Sequence, residues 1–112
     1  MKKVLVVDSV DFNRELLEES LKQHDIEVIQ GIDIDAIEAE LRNGVDVIIS
    51  GNRLASGSGA EALMKSATKA EKCLYTTAPV EILPKGIEKT VKYFQKPDIG
   101  SLLDFVLGAL KR

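Results

Sequence analysis

The sequence predicts one α/β domain spanning residues 1–112: a three-layer sandwich with a five-stranded parallel sheet in the order 2-1-3-4-5. Three observations predict it. Short apolar runs rich in β-branched residues alternate with stretches of helical spacing along the whole chain. The links between them are short, so right-handed crossovers must join parallel strands covered on both faces. A chain of 112 residues also supplies one hydrophobic core and not two.

The elements follow in order. Val4-Leu5-Val6-Val7 is a continuous apolar strand, which suits a buried central position. Leu17, Leu21 and His24 share one face of the first helix, with Asp11 placed to cap its start. Ile26-Glu27-Val28-Ile29 is interrupted by a charge and suits an edge. Ile34, Ile37 and Leu41 make the apolar face of a second helix, opened by Asp33 and stopped by Gly44. Val45–Ile49 is a second central strand. Ala60, Leu63, Met64 and Ala67 mark a third helix, and Cys73-Leu74-Tyr75-Thr76 a fourth strand. Between Thr77 and Tyr93 the chain carries Pro79, Pro84 and Gly86, so the fourth helix must be short or irregular. Val91-Lys92-Tyr93-Phe94 is the other edge strand, and Leu103, Val106, Leu107 and Leu110 stripe the last helix.

Composition excludes several functions. Hydrophobic residues make up 45% and charged residues 29%, an ordinary globular balance rather than a disordered one. The single Cys73 cannot form an internal disulfide, which points to a reducing, cytoplasmic setting and to a small core residue. No apolar run reaches the ~20 residues of a membrane span, and the basic start Met1-Lys2-Lys3 precedes too short an apolar run for a signal peptide. A net charge of −3 argues against direct nucleic-acid binding. The charge is divided: residues 1–50 hold five Lys/Arg and twelve Asp/Glu (−7), residues 51–112 ten and six (+4). Such polarity can orient a protein partner; the alternative is that it reflects only solvated helix faces.

In a sheet of this kind ligands bind at the carboxyl ends of the central strands. The residues that follow those strands are Asp8, Ser9, Val10 and Asp11; Ser50, Gly51, Asn52 and Arg53; Thr76, Thr77 and Ala78; and Gln95, Lys96 and Pro97.

On these residues the chain resembles the receiver domains of bacterial two-component response regulators, of the chemotaxis-regulator type. The resemblance runs over nearly the whole chain. It is carried by Val6-Val7-Asp8, Asp46-Val47-Ile48-Ile49-Ser50, Leu54, Gly59, Thr77-Ala78, Tyr93 and Lys96-Pro97. It implies a flavodoxin-like fold, and a cleft that accepts a phosphoryl group on aspartate with bound magnesium. By the same resemblance Asp8 matches the first acid, Thr77 the switch hydroxyl, Tyr93 the switch aromatic and Lys96 the lysine.

Three positions depart from the pattern. Ser9 stands for the second acid, Gly51 for the phosphoacceptor and Ala55 for the loop proline. Phosphoryl transfer needs a carboxylate nucleophile, and magnesium needs several oxygen ligands. The expectation is therefore a degenerate receiver, or pseudo-receiver. It would be no enzyme, use no cofactor, magnesium included, and act by protein contact within a phosphorelay. Its partners would be a histidine kinase, a phosphotransfer protein or an output domain, and the 78–110 face is a candidate homodimer surface.

Among substitute acids, Asp46 lies at the wrong end of the sheet, Glu61 faces solvent, and Asp8 and Asp11 are the candidate metal ligands. Asp8 is expected to pair with Lys96, with Arg53 as a second cation over Asp8; the alternative for Arg53 is solvent. The loop of Arg53, Ser56, Gly57, Ser58 and Gly59 offers a second function class, a phosphate- or nucleotide-type sensor built on free backbone N–H groups. A third is a phosphorylatable receiver with an unconventional acceptor.

Overall fold

A computed structural model of the chain describes residues 1–41 and 43–111. The side chain of Leu41, expected on the apolar face of the second helix, lies outside that description. The elements are β1 (Lys2–Val7), α1 (Asp11–Lys22), β2 (Ile26–Gly31), α2 (Asp35–Leu41), β3 (Val47–Ser50), β4 (Arg53–Leu54), β5 (Gly57–Ser58), α3 (Gly59–Lys65), β6 (Glu71–Thr76), β7 (Lys92–Gln95) and α4 (Ile99–Leu110). Two single 3-10 turns, Val80–Ile82 and Ile87–Lys89, stand where a helix between β6 and β7 would be. Pro79 opens the first turn and Pro84 precedes the second, as the loss of backbone donors at proline requires.

The five long strands form one parallel sheet in the order β2-β1-β3-β6-β7, the predicted order once the two-residue strands β4 and β5 are set apart. The polar-interrupted strands take the edges and the apolar ones the centre. Alternation along each strand packs both faces of the one sheet. Leu5, Val7, Ile48 and Leu74 face one side, against Ile37, Leu63, Leu83 and Ile87. Val4, Val6, Val47, Ile49, Cys73 and Tyr75 face the other, against Leu17 and Leu21 of α1 and Leu102 and Val106 of α4.

The structure corrects four local expectations. Asp11 does not cap α1: the cap is Val10, whose N–H is taken by the Asp8 carboxylate, and Asp11 is the first helical residue. His24 is exposed in the turn beyond α1, because the helix stops at Lys22 and the apolar face is completed by Arg14 instead. Ala67 falls beyond the end of α3 at Lys65. Asp33 does not cap α2, which begins two residues later at Asp35. The Asp33 carboxylate accepts the N–H of Ile34, and also the N–H and hydroxyl of Ser56 at 3.1 and 2.5 Å.

Candidate functional site

The carboxyl ends of β1, β3, β6 and β7 meet in a cleft built around Asp8. The Asp8 backbone continues β1, its N–H donating to Gly31 O at 3.1 Å, and the residue is 5% exposed. Its two carboxylate oxygens are both engaged. Oδ1 accepts the Val10 N–H at 2.9 Å, and Oδ2 accepts the Lys96 ammonium at 3.0 Å. The Asn13 amide stands 3.4 Å from each oxygen. Lys96 is fixed from below, since its own N–H donates to Thr76 O at 2.8 Å and its ammonium lies 5.6 Å from the centre of the Tyr75 ring.

Gly51 is buried beside this pair. Its N–H donates to Val7 O at 2.8 Å, which extends the β1–β3 pairing into the cleft. A Cβ at position 51 would stand 3.2 Å from Asp8 Oδ2, so a side chain here would point at the Asp8 carboxylate. The pocket thus carries the Asp8 carboxylate and the Lys96 ammonium, and only backbone at position 51.

A second cation does reach the cleft, and it is Arg14 rather than Arg53. Arg53 is exposed on β4, paired through its backbone with Ser58. Arg14 is buried on α1, donating to the Asp8 carbonyl at 2.5 Å and to Gln30 Oε1 at 3.0 Å, and forming an ion pair with Asp11. Gln30 in turn donates to Glu18 at 2.7 Å. The signal was present in the sequence: residue 14 shares the 14/17/21 stripe, so its side chain had to turn inward. Ser9 is exposed and makes no contact that would replace an acid.

These residues do not fit magnesium. Asp8 has both oxygens engaged, Gly51 offers no side-chain oxygen and its carbonyl already accepts the Ser50 hydroxyl at 2.8 Å, and Asp11 is held by Arg14 with its own side chain 80% exposed. Asp46 and Glu61 are remote, the first accepting the Lys3 N–H at the opposite end of the sheet. Among the described residues no three acids, histidines or cysteines converge.

The 51–59 segment is not a free glycine loop. It folds as the β4–β5 hairpin, and its polar groups satisfy one another. Asn52 Oδ1 accepts the Ser58 hydroxyl at 2.9 Å and the Ala60 N–H at 3.1 Å, and Ser58 Oγ caps α3 by accepting the Glu61 N–H. Ser56 gives both its donors to Asp33. The hydroxyls of Ser56 and Ser58 and the Ser56 N–H are therefore spent on the chain's own acceptors, while the Arg53 side chain is exposed. Gly59 is there for packing: a Cβ would fall 1.8 Å from Gly51 O.

At the far side of the cleft, Thr77 is exposed past the end of β6, while Tyr93 of β7 is half-buried and donates its hydroxyl to Ala78 O at 2.6 Å. Tyr93 is thus held inward against the 76–78 turn, where Thr76 Oγ1 also accepts the Ala78 N–H.

No protein-family model and no curated protein matches the sequence. Solved structures do match the fold. A two-component response regulator from Clostridium difficile superposes with a TM-score of 0.86 at 20% identity, over 100% of this chain and 98% of that one. The signal receiver domain of an HD domain-containing protein from Pseudomonas fluorescens Pf-5 gives 0.85 at 23% identity, over 98% and 87%. The response regulator TrrA from Thermotoga maritima, in complex with Mg2+ and BeF, gives 0.82 at 23% identity, over 97% and 99%. The chain therefore has the fold of response-regulator receiver domains. No helix among the described residues is long and apolar enough to cross a membrane.

Proposed function

We propose that this chain is a pseudo-receiver, a signalling domain of receiver type that acts by binding other proteins of a two-component relay and is not phosphorylated on aspartate. The observation that carries this reading is the Asp8–Lys96 ion pair closed over Gly51. In-line attack on a phosphodonor needs a carboxylate at position 51, and here that position is backbone. The cleft is also formally neutral, with Asp8 against Lys96 and Asp11 against Arg14. It exerts little pull on a divalent cation or a doubly charged phosphoryl group.

Kinases, phosphotransfer proteins and output domains are the partner classes the fold suggests, and a buried free Cys73 suits a reducing cytoplasmic setting. Incubation with acetyl phosphate and Mg2+, followed by intact-mass measurement, tests the reading. The expected result is an unchanged mass for the native chain. Gain of one phosphoryl group on an aspartate would refute it and would favour an unconventional acceptor.

A further inference from the structure

The turn that leads from α2 to β3 has one obligatory residue. Gly44 makes the turn with φ +73°, a conformation that L side chains rarely adopt, so the fold requires glycine there. The residue before it is Asn43, and the turn therefore contains an Asn-Gly pair. Both residues are exposed, and a Cβ on Gly44 would meet no atom within 4 Å.

An open Asn-Gly pair carries its own reaction. The glycine nitrogen attacks the side-chain carbonyl carbon of the asparagine, the new C–N bond closes a five-membered succinimide, and the side-chain amide leaves as ammonia with the proton the glycine nitrogen gave up. Water then opens the ring at either carbonyl, which yields aspartate or, with the main chain routed through the side chain, isoaspartate. Little holds the pair closed here. The N–H groups of Asn43 and Gly44 share one acceptor, Glu40 O, at 3.0 and 3.2 Å, and the Asn43 amide stands 3.3 Å from Glu40 Oε2 at an exposed site. The other two asparagines are secured. Asn13 lies inside α1, and the N–H of the arginine that follows it donates to Val10 O. Asn52 is half-buried before Arg53, and its Oδ1 accepts both the Ser58 hydroxyl and the Ala60 N–H.

We infer that Asn43-Gly44 is a self-modification site, at which the folded chain converts its own asparagine to aspartate and isoaspartate with water as the only co-reactant. The conversion acts on the entry to the sheet. Either product puts a new negative charge beside Glu40, at the carbonyl end of α2 where the helix dipole disfavours it. Isoaspartate also adds a methylene to the main chain just before Val45, which is buried, and Asp46. The Asp46 N–H donates to Lys3 O at 2.9 Å and its carboxylate accepts the Lys3 N–H at 2.9 Å, so the lengthened chain strains the point where β3 comes in beside β1. The turn lies at the end of the sheet opposite the Asp8 cleft, and its chemistry is independent of whether that cleft takes a phosphoryl group.

Peptide mapping of the full chain, held folded at mildly alkaline pH for days, tests this; electron-transfer fragmentation separates aspartate from isoaspartate. The expected result is loss of one side-chain amide, at Asn43, with both products present and isoaspartate in excess, while Asn13 and Asn52 stay intact. Hydrogen exchange at Val45, Asp46 and Val47 should quicken as the product accumulates. Asn43→Gln should show no conversion on the same timescale, because its longer side chain must close a six-membered ring, and its exchange should stay at the starting rate. An Asn43 amide that survives in the folded chain while a synthetic peptide of residues 40–46 converts would overturn the inference, since the turn would then hold the pair closed. Conversion shared among Asn13, Asn43 and Asn52 would also overturn it, and exchange that conversion leaves unchanged would refute the effect on the sheet.

Discussion

Lys96 Nζ stands 3.0 Å from Asp8 Oδ2, and that same oxygen is the atom a side chain at position 51 would meet, 3.2 Å from its Cβ. A residue 88 positions away in sequence thus neutralises the buried acid of the cleft, at the same oxygen that a side chain at position 51 would meet. Side-chain exposures of 20% for Lys96 and 7% for Asp8 keep the pair largely out of water, so neither partner is easily lost.

Removing the cation alone should therefore cost more than removing both charges. Lys96→Met leaves the Asp8 carboxylate buried with one good donor, and should destabilise the fold by about 2 kcal/mol. Asp8→Asn/Lys96→Met should recover part of that loss. Urea unfolding of the two single variants and the double variant measures the coupling; strictly additive losses would mean that the pair contributes nothing as a pair.

Tyr93→Phe deletes the bond from the hydroxyl to Ala78 O while keeping the ring. The expected cost is about 1 kcal/mol, with faster hydrogen exchange confined to the 76–80 and 92–95 segments. Unchanged exchange there would show that the ring, not the hydroxyl, holds the turn.

The Asp33 carboxyl is held below its ordinary value first by the Ser56 hydroxyl, then by the N–H groups of Ile34 and Ser56. A carboxyl with a lowered folded pKa stabilises the fold above its unfolded pKa, and that contribution fades as pH falls through the folded value. The latch between α2 and the β4–β5 hairpin should accordingly release only below the ordinary carboxyl range, near 3.8. In Ser56→Ala, carbon-detected NMR should show the Asp33 titration moving up toward that ordinary value. An unmoved titration would remove Ser56 as the main cause.

Burial pushes the Cys73 thiol up to about 12, with the charge of Glu71 adding to the effect and Lys92 opposing it. At pH 8 the native protein should leave Ellman's reagent unreacted for hours, and one thiol should react as soon as urea unfolds the chain. Rapid labelling of the folded protein would place Cys73 in a more open environment.

Much of this was legible beforehand because it depends on periodicity. The β-branched runs and their polar interruptions specified which strands are central, and the prolines at 79 and 84 ruled out a regular helix before β7. Asp8, Gly51 and Lys96 converge as strand ends in this fold must. What escaped was the aim of long polar side chains. Arg14 and Arg53 are both single arginines near the cleft in sequence, and only packing decides that α1 turns Arg14 inward while the β4–β5 hairpin turns Arg53 out. The hairpin itself was missed because glycines and serines read as an open loop. Its order comes from Asn52 and Asp33, whose acceptors lie outside the run of small residues.

The central claim is that the cleft is closed by its own ion pair and takes up neither metal nor phosphoryl group. Backbone amide spectra of the native chain, recorded before and after addition of Mg2+ and then beryllofluoride, test it residue by residue. The account predicts that the amides of Asp8, Val10, Gly51, Thr77, Tyr93 and Lys96 stay where they are. Saturable shifts at Asp8 and Gly51 that spread to Thr77 and Tyr93 would contradict it.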